Sequence, residues 1–165
     1  MSSSQPQQQL SEQSQLCHFL SSLCYEDIPP SVLAHAKSSN LNALGCGIGG
    51  SVAPPTLKAA RALLPLTAGG GTSTLLGCAE RTDFQTAALV NGIALTNADY
   101  DDTHLRTVIH PSGAVLCALL AWGEGRGLSG REVVVAFVVG VEAQLRVGNA
   151  ISPGHYKVGW YLSPV

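Results

Sequence analysis

The residues able to do chemistry are gathered in one stretch, Asn97 to Ser112, which reads Asn-Ala-Asp-Tyr-Asp-Asp-Thr-His-Leu-Arg-Thr-Val-Ile-His-Pro-Ser. It brings together the carboxylates of Asp99, Asp101 and Asp102, the hydroxyls of Thr103 and Ser112, the imidazoles of His104 and His110, and the guanidinium of Arg106. If the apolar helix that precedes this stretch runs on by one turn, Asp99 and Thr103 lie at i and i+4 on the same face, while Asp101 and Asp102 point elsewhere. A carboxylate at the end of an apolar helix is held partly out of water, which suits proton transfer. His110 stands directly before a second helix, whose first turn has free backbone N–H groups and so makes a place for an anion. A proton-handling Asp, a hydroxyl, two histidines and Arg106 would together serve elimination or decarboxylation of a polycarboxylic acid, in which one group moves a proton and others hold charge. The same residues have plainer uses. Asp and Asn near a helix end cap it or form solvated turns. Asp101, Asp102, His104 and His110 could also ligate a divalent metal, although their spacing matches no standard site. His18, His35 and His155 read as surface or boundary residues.

The elements that must position this stretch are helices. Leu16, Phe19, Leu20 and Leu23 fall at helical spacing in Leu10 to Tyr25, with Cys17 and Cys24 on one face, and Asp27 to Pro30 stops that helix. Pro30 suits a first turn, and Val32, Leu33, Ala36, Leu41, Leu44 and Ile48 carry a second helix into Gly45, Gly47, Gly49 and Gly50. Those glycines close a helical pattern instead of following a strand, so they read as a close-packing helix exit and not as a phosphate loop. Pro54 to Leu64 predicts a short helix, Gly69 to Gly71 a turn, and Thr72 to Gly77 a short strand. Phe84 to Ala98 has no charged residue and is apolar all round, which predicts a helix buried on all sides with Asp83 as its N-cap. Pro111 to Trp122 predicts another apolar helix. Ser129-Gly130-Arg131-Glu132 is a capping box opening a helix from Val133 to about Val147. Met1 to Gln9 is a Ser/Gln/Pro tract, predicted to be a disordered tail. The fold class is therefore all-α, a helical bundle-like domain with at most one short strand.

A chain of 165 residues is enough for one domain with a real core. Only 12% of its residues are charged and 45% are apolar, against about 25% charged in an ordinary soluble domain. The net charge of -2, with no basic stripe, argues against nucleic acid as a partner. The apolar run Val133 to Val141 is bracketed by charges and falls short of the ~20 residues that span a bilayer, so no membrane partner is expected. The cysteines at 17, 24, 46, 78 and 117 are odd in number and never in a Cys-x-x-Cys pair, which suits reduced thiols inside a cell. The first basic residue is Lys37, so the start lacks the features of a secretory signal or a mitochondrial transit peptide, and the cytoplasm is the expected compartment. Helices apolar on every side imply that the chain packs against something it does not itself contain.

From Asn91-Gly92 through Asp99-Tyr100-Asp101-Asp102-Thr103-His104, then His110-Pro111-Ser112 and an Ala/Leu-rich helix, the sequence resembles the MmgE/PrpD family of lyases, which includes 2-methylcitrate dehydratase and cis-aconitate decarboxylase. The likeness extends upstream to Asp27-Ile28-Pro29-Pro30, Ala36-Lys37 and Leu76-Gly77, and downstream to Ser129-Gly130, Gly140-Val141-Glu142 and Arg146 with Gly148. It implies the first section of a large helical domain, to which both ends of a family chain contribute, beside a smaller α/β domain, commonly in a homodimer. It also implies that Asp99, Thr103 and His110 match catalytic positions, with His104, Arg106 and Ser112 as candidate substrate-binding groups, no metal and no other cofactor. The expected substrate is a small polycarboxylate: 2-methylcitrate or a related acid loses water, or cis-aconitate loses carbon dioxide to give itaconate.

The sequence departs from the family at one end. Members usually continue after Gly159-Trp160 with a histidine, a Thr and a Gly/Ala-rich helix, and carry an active-site Lys further on; here Tyr161 takes the histidine's place and the sequence ends at Val165. Residues 10–160 are thus read as an incomplete N-terminal helical domain and 161–165 as an end unlike the family, with the chain expected to be inactive or nearly so as it stands. The rival from another class is a non-catalytic interaction protein, its apolar helices pairing with a second copy or a longer relative.

Overall fold

The computed structural model describes residues 11–67 and 70–160; the Ser/Gln tract, Gly69 of the predicted turn and the Tyr161 to Val165 end lie outside the described residues. The described chain is all-α apart from one small ribbon: α1 (Glu12–Ser22), α2 (Pro30–Gly50), α3 (Pro54–Leu63), β1 (Ser73–Thr74), β2 (Arg81–Thr82), α4 (Phe84–Thr96), α5 (Pro111–Glu124), α6 (Gly130–Ile151) and a single turn, α7 (Gly154–Lys157). The expectation of at most one strand is corrected to two, because β1 finds an antiparallel partner, with Ser73 opposite Thr82 and Thr74 opposite Arg81.

Helix α4 is the centre. It packs on α2, α3 and α5, and α5 in turn packs on α6 and β1. One core cluster joins Ala36 and Ala43 of α2 and Leu95 of α4 to Leu116 and Cys117 of α5 and Phe137 of α6. A second joins Leu75 to Ala87, Val90 and Ala121. The small residues on α2 explain how close the helices come: Gly50 sits against the carbonyl of Ala94, where any Cβ would collide. Gly47 and Gly50 therefore serve close packing as expected, whereas nothing stands near Gly45 and Gly49, and α2 runs through all four to Gly50 instead of leaving its helical path among them. The buried Asn91 of α4 is fully employed. Its Nδ2 donates to Thr74 O at 2.9 Å and its Oδ1 accepts from Leu76 N at 2.9 Å, tying the ribbon to the core.

Several boundaries differ from expectation for local reasons. Helix α1 stops at Ser22, and Cys24 instead opens the 3-10 turn Tyr25–Asp27 by donating its N–H to the Asp27 carboxylate at 2.9 Å, so Cys17 and Cys24 share no helix face. Asp83 caps α4 as predicted, accepting from Gln85 N and Thr86 N. Yet α4 is not buried on all sides: Leu89 is 54% exposed, because only the α2, α3 and α5 sides are covered. Helix α6 starts from the Ser129 capping box and runs to Ile151, further than the periodicity indicated. By length and composition it is also long and apolar enough to cross a membrane, which the short run Val133 to Val141 did not indicate. It packs on α5, α2 and α1, and carries a Glu142 to Arg146 ion pair at 2.9 Å.

Candidate active site

The chemistry-bearing stretch is positioned by where α4 stops. Thr96 turns its hydroxyl back on Gly92 O at 3.1 Å, Asp99 N donates to Thr96 O at 3.2 Å, and Asp99 itself adopts a left-handed backbone with φ 51°. Aspartate tolerates that region better than most residues, and one such residue is enough to turn the chain out of its helix. Asp99 and Thr103 therefore do not lie on one helical face. Residues 97–110 form a folded-back loop between α4 and α5.

The second half of the loop is a tight hairpin. His104 N donates to Ile109 O at 2.8 Å, Val108 N donates to His104 O at 2.8 Å, and the His104 Nδ1 to Thr107 Oγ1 contact of 2.7 Å closes it. Thr107 and Ile109 are buried, and the β-branched Val108 is held at φ 57°, a strained conformation that the surrounding hydrogen bonds maintain.

In the first half, the side chains of Asp101 and Asp102 part. Asp102 accepts from Ser112 N at 3.2 Å and from Ser112 Oγ at 2.5 Å, so it occupies the N-terminus of α5 that a free anion would have taken. Asp101 turns into the cleft: its side chain is 2% exposed, and its Oδ1 lies 3.4 Å from His110 Nδ1. The same Nδ1 is 3.2 Å from Thr103 Oγ1. Asp101 Oδ2 is buried and has no hydrogen-bond partner. Burial pushes the Asp101 carboxyl above its ordinary value; its own backbone hydrogen bond and His110 pull it down, and the charges of Asp102 and Asp99 push it up. Behind the loop, the Cys46 thiol of α2 is also raised, first by burial and then by Asp101 and Asp102.

These groups open on a cleft of about 590 Å³, with Leu89, Ile93 and Gly113 on its apolar side and Asp99, Asp101 and His110 on its polar side. One ligand atom from each of Asp99, Asp101 and His110 falls within 4.8 Å of the others, so this trio is also the set that could hold a cation among the described residues. The metal set read from the sequence is split: Asp102 is engaged with Ser112 and His104 with Thr107.

Of the six predicted site residues, the structure brings Asp99, Thr103 and His110 together. Ser112 is fully buried with its hydroxyl on Asp102, and His104 is tied into the hairpin. Arg106 is elsewhere, on a separate cleft with Phe19, Arg146 and Asn149. Asp101 is the group the helical extrapolation turned away from the site. Helical spacing could not find it, because the left-handed backbone of Asp99 redirects the chain just before Asp101.

The MmgE/PrpD N-terminal domain matches residues 14–165. The cis-aconitate decarboxylase-like protein oryM of Aspergillus oryzae is 33% identical over 159 residues, covering 92% of this chain and 33% of that protein. The cis-aconitate decarboxylase of Aspergillus terreus is 31% identical over 158 residues, covering 92% of this chain and 32% of the relative. The cis-aconitate decarboxylase of Homo sapiens is 47% identical over 66 residues, covering 37% of this chain and 13% of the relative. The chain thus spans about a third of the length of its fungal relatives. With a match across almost the whole sequence and an all-α fold as that match implies, the chain belongs to the MmgE/PrpD family.

Proposed function

We propose that this chain forms one wall of the active site of a lyase acting on a small polycarboxylic acid, with cis-aconitate decarboxylation as the reaction and 2-methylcitrate dehydration as the alternative within the same family. The observation that carries the reading is that Asp99 and His110 line one cleft, with the Thr103 hydroxyl on His110 Nδ1; the names of the relatives favour the decarboxylation.

The chemistry follows from the groups. When a β,γ-unsaturated carboxylate loses carbon dioxide, the C–C bond electrons pass into the neighbouring alkene and a carbon must receive a proton. His110, with a proton on each ring nitrogen, is a suitable donor at the cleft: it gives one proton to that carbon and is left as neutral imidazole, and a positioned acid contributes typically 10²–10⁴-fold. Thr103 positions its ring through Nδ1. Asp99, exposed at the cleft edge, orders the water from which His110 regains its proton after each turnover. The apolar side made by Leu89 and Ile93 keeps the reacting carbon out of bulk water. The charges of the substrate's remaining carboxylates need cationic partners from outside the described residues of this wall, since Arg106 lies on another cleft. The 165-residue chain alone is therefore proposed to bind substrate weakly and turn it over negligibly, and the whole protein to act in the cytoplasm without a metal.

The test is a chimaera in which residues 14–160 replace the matching third of the Aspergillus terreus relative, assayed for itaconate from cis-aconitate by NMR. An active chimaera whose kcat falls by about 10²–10⁴ on His110→Asn supports the reading. A folded, active chimaera indifferent to that change overturns it. A second reading, a non-catalytic partner-binding protein, draws on Leu41 in the middle of α2 and Val52 just after it, which are 72% and 74% exposed. It predicts a stable oligomer of the chain in sedimentation and no response of its spectrum to cis-aconitate.

A further inference from the structure

Asp101 is an unusual place for a carboxylate in this fold. Its side chain is 2% exposed, one oxygen has no hydrogen-bond partner, and the other is 3.4 Å from an imidazole nitrogen. A buried carboxylate this poorly satisfied lowers stability unless something nearby compensates for it. Two features do. One is its place beside the first turn of α5 and that turn's positive end: Oδ2 lies 3.7 Å from where a Cβ on Gly113 would stand. The other is His110, whose ring faces Asp101 across that 3.4 Å gap.

Thr103 and Asp101 both face His110 Nδ1, and they ask for different things. The Thr103 hydroxyl can donate to a bare Nδ1 or accept from an Nδ1–H, so it fixes neither tautomer. An ionised Asp101 can only accept. With Nδ1 bare, its lone pair would face a carboxylate across a nearly dry gap; with Nδ1 protonated, the N–H points between two acceptors. We infer that Asp101 is a positioning residue for the proposed lyase reaction, holding the proton of His110 on Nδ1 and thereby presenting Nε2 as the nitrogen that exchanges protons with substrate. The inference rests on the reading of His110 as the proton-handling group. A gap of 3.4 Å is long for a hydrogen bond, as catalytic contacts often are before substrate closes the site. The other charged or titratable groups around Asp101 are Asp99 and Asp102 on its own loop and Cys46 on α2, and none of them supplies a positive charge to take the place of His110.

This assigns three roles within one loop. Asp102 holds the start of α5, Asp101 holds the tautomer, and Thr103 steadies the ring. It also explains why a carboxylate is kept in the cleft wall at all, since a neutral side chain of the same shape would pack there without the cost of desolvation.

The test is a tautomer measurement on the 165-residue chain with 15N-labelled histidine at about pH 8.5, above the ordinary imidazole range. His110→Gln identifies the His110 signals among those of the five histidines. The expected wild-type pattern is a protonated Nδ1 and a bare Nε2. Asparagine in place of an orienting aspartate promotes the opposite tautomer, so Asp101→Asn is expected to move His110 to Nε2–H, and Thr103→Val to leave it on Nδ1–H. A wild-type Nε2–H signal overturns the inference without any variant, as does a tautomer that follows Thr103→Val and ignores Asp101→Asn. Should Asp101→Asn misfold, Asp101→Ala gives the same comparison. The measurement is independent of turnover: an inactive His110→Asn chimaera together with a Thr103-controlled tautomer sinks Asp101 alone, whereas an active one sinks the lyase role of His110 and leaves the tautomer result standing.

Discussion

The loop between α4 and α5 has two sides, and its adjacent aspartates sample both. On the α5 side, Asp102 meets a backbone N–H and a buried hydroxyl of Ser112, and every polar group there has a partner. On the cleft side, the Asp101 side chain is 2% exposed, yet one of its oxygens has no hydrogen-bond partner, and the carboxyl has only its own backbone hydrogen bond and an imidazole 3.4 Å away. The first arrangement is what folding selects: buried polar groups matched one to one. The second is poorer for folding and stays useful only if something other than stability maintains it. The difference separates a structural carboxylate from a functional one, although neighbouring positions in the sequence look alike.

The comparison breaks most visibly at Asp102. Removing it in Asp102→Ala leaves Ser112 N–H and Oγ–H without an acceptor inside the fold. Hydrogen bonds to a charged group contribute about 1.5–3 kcal/mol each, and a stranded buried donor adds to the loss. A fall of about 3 kcal/mol in unfolding free energy, measured in urea, is expected. A change below about 1 kcal/mol would show that the Asp102 to Ser112 contact holds nothing. Asp101→Asn, one residue away, removes a desolvated charge and keeps the shape, so at neutral pH it is expected to be no less stable than the wild type. Were Asp101→Asn as damaging to stability as Asp102→Ala, the two sides of the loop would be equivalent and the functional reading of Asp101 would lose its support.

How far the sequence anticipates this depends on what each residue's neighbours are. The helices were legible because their signals are local: Pro30, Pro54 and Pro111 at first turns, the Ser129 and Glu132 box, and the Asp83 cap all act within one turn. The site stretch was legible as a concentration of polar residues between apolar helices, and three of its groups do meet. Its internal geometry was not legible, because it turns on Asp99 taking a left-handed backbone and ending the helical period. From there helical spacing no longer applies, and Asp101 enters the cleft while Asp102 meets Ser112. Arg106 and Arg146 are separated by a long stretch of chain and share a cleft only because the His104 to Ile109 hairpin folds toward α6, where Ile109 packs on Gly148. Nothing in the spacing of the polar residues encodes that contact.

The smallest effect sharpens the contrast through pH, with Asp83 as the reference carboxylate. Asp83 caps α4, and the hydrogen bonds from Thr86, then Gln85, hold its carboxyl below the ordinary value. A group depressed in the folded state contributes stability that is present above the unfolded carboxylate range and is lost as pH falls through the folded value. Asp101 is raised, chiefly by burial, so the sign reverses: its contribution is present below the unfolded range and is lost as pH rises through the folded value. Asp83→Ala should therefore cost about 1 kcal/mol at neutral pH, as lost caps do, and the deficit should shrink on acidification. Asp101→Asn should be at its most favourable relative to the wild type at neutral pH, and that advantage should also shrink as Asp101 takes up its proton. Plotted against pH, the two differences approach zero from opposite sides. Urea unfolding of both variants across the acid range checks the sign directly. If both differences had the same sign, Asp101 would be a cap like Asp83, satisfied by contacts of the folded chain and not held against them.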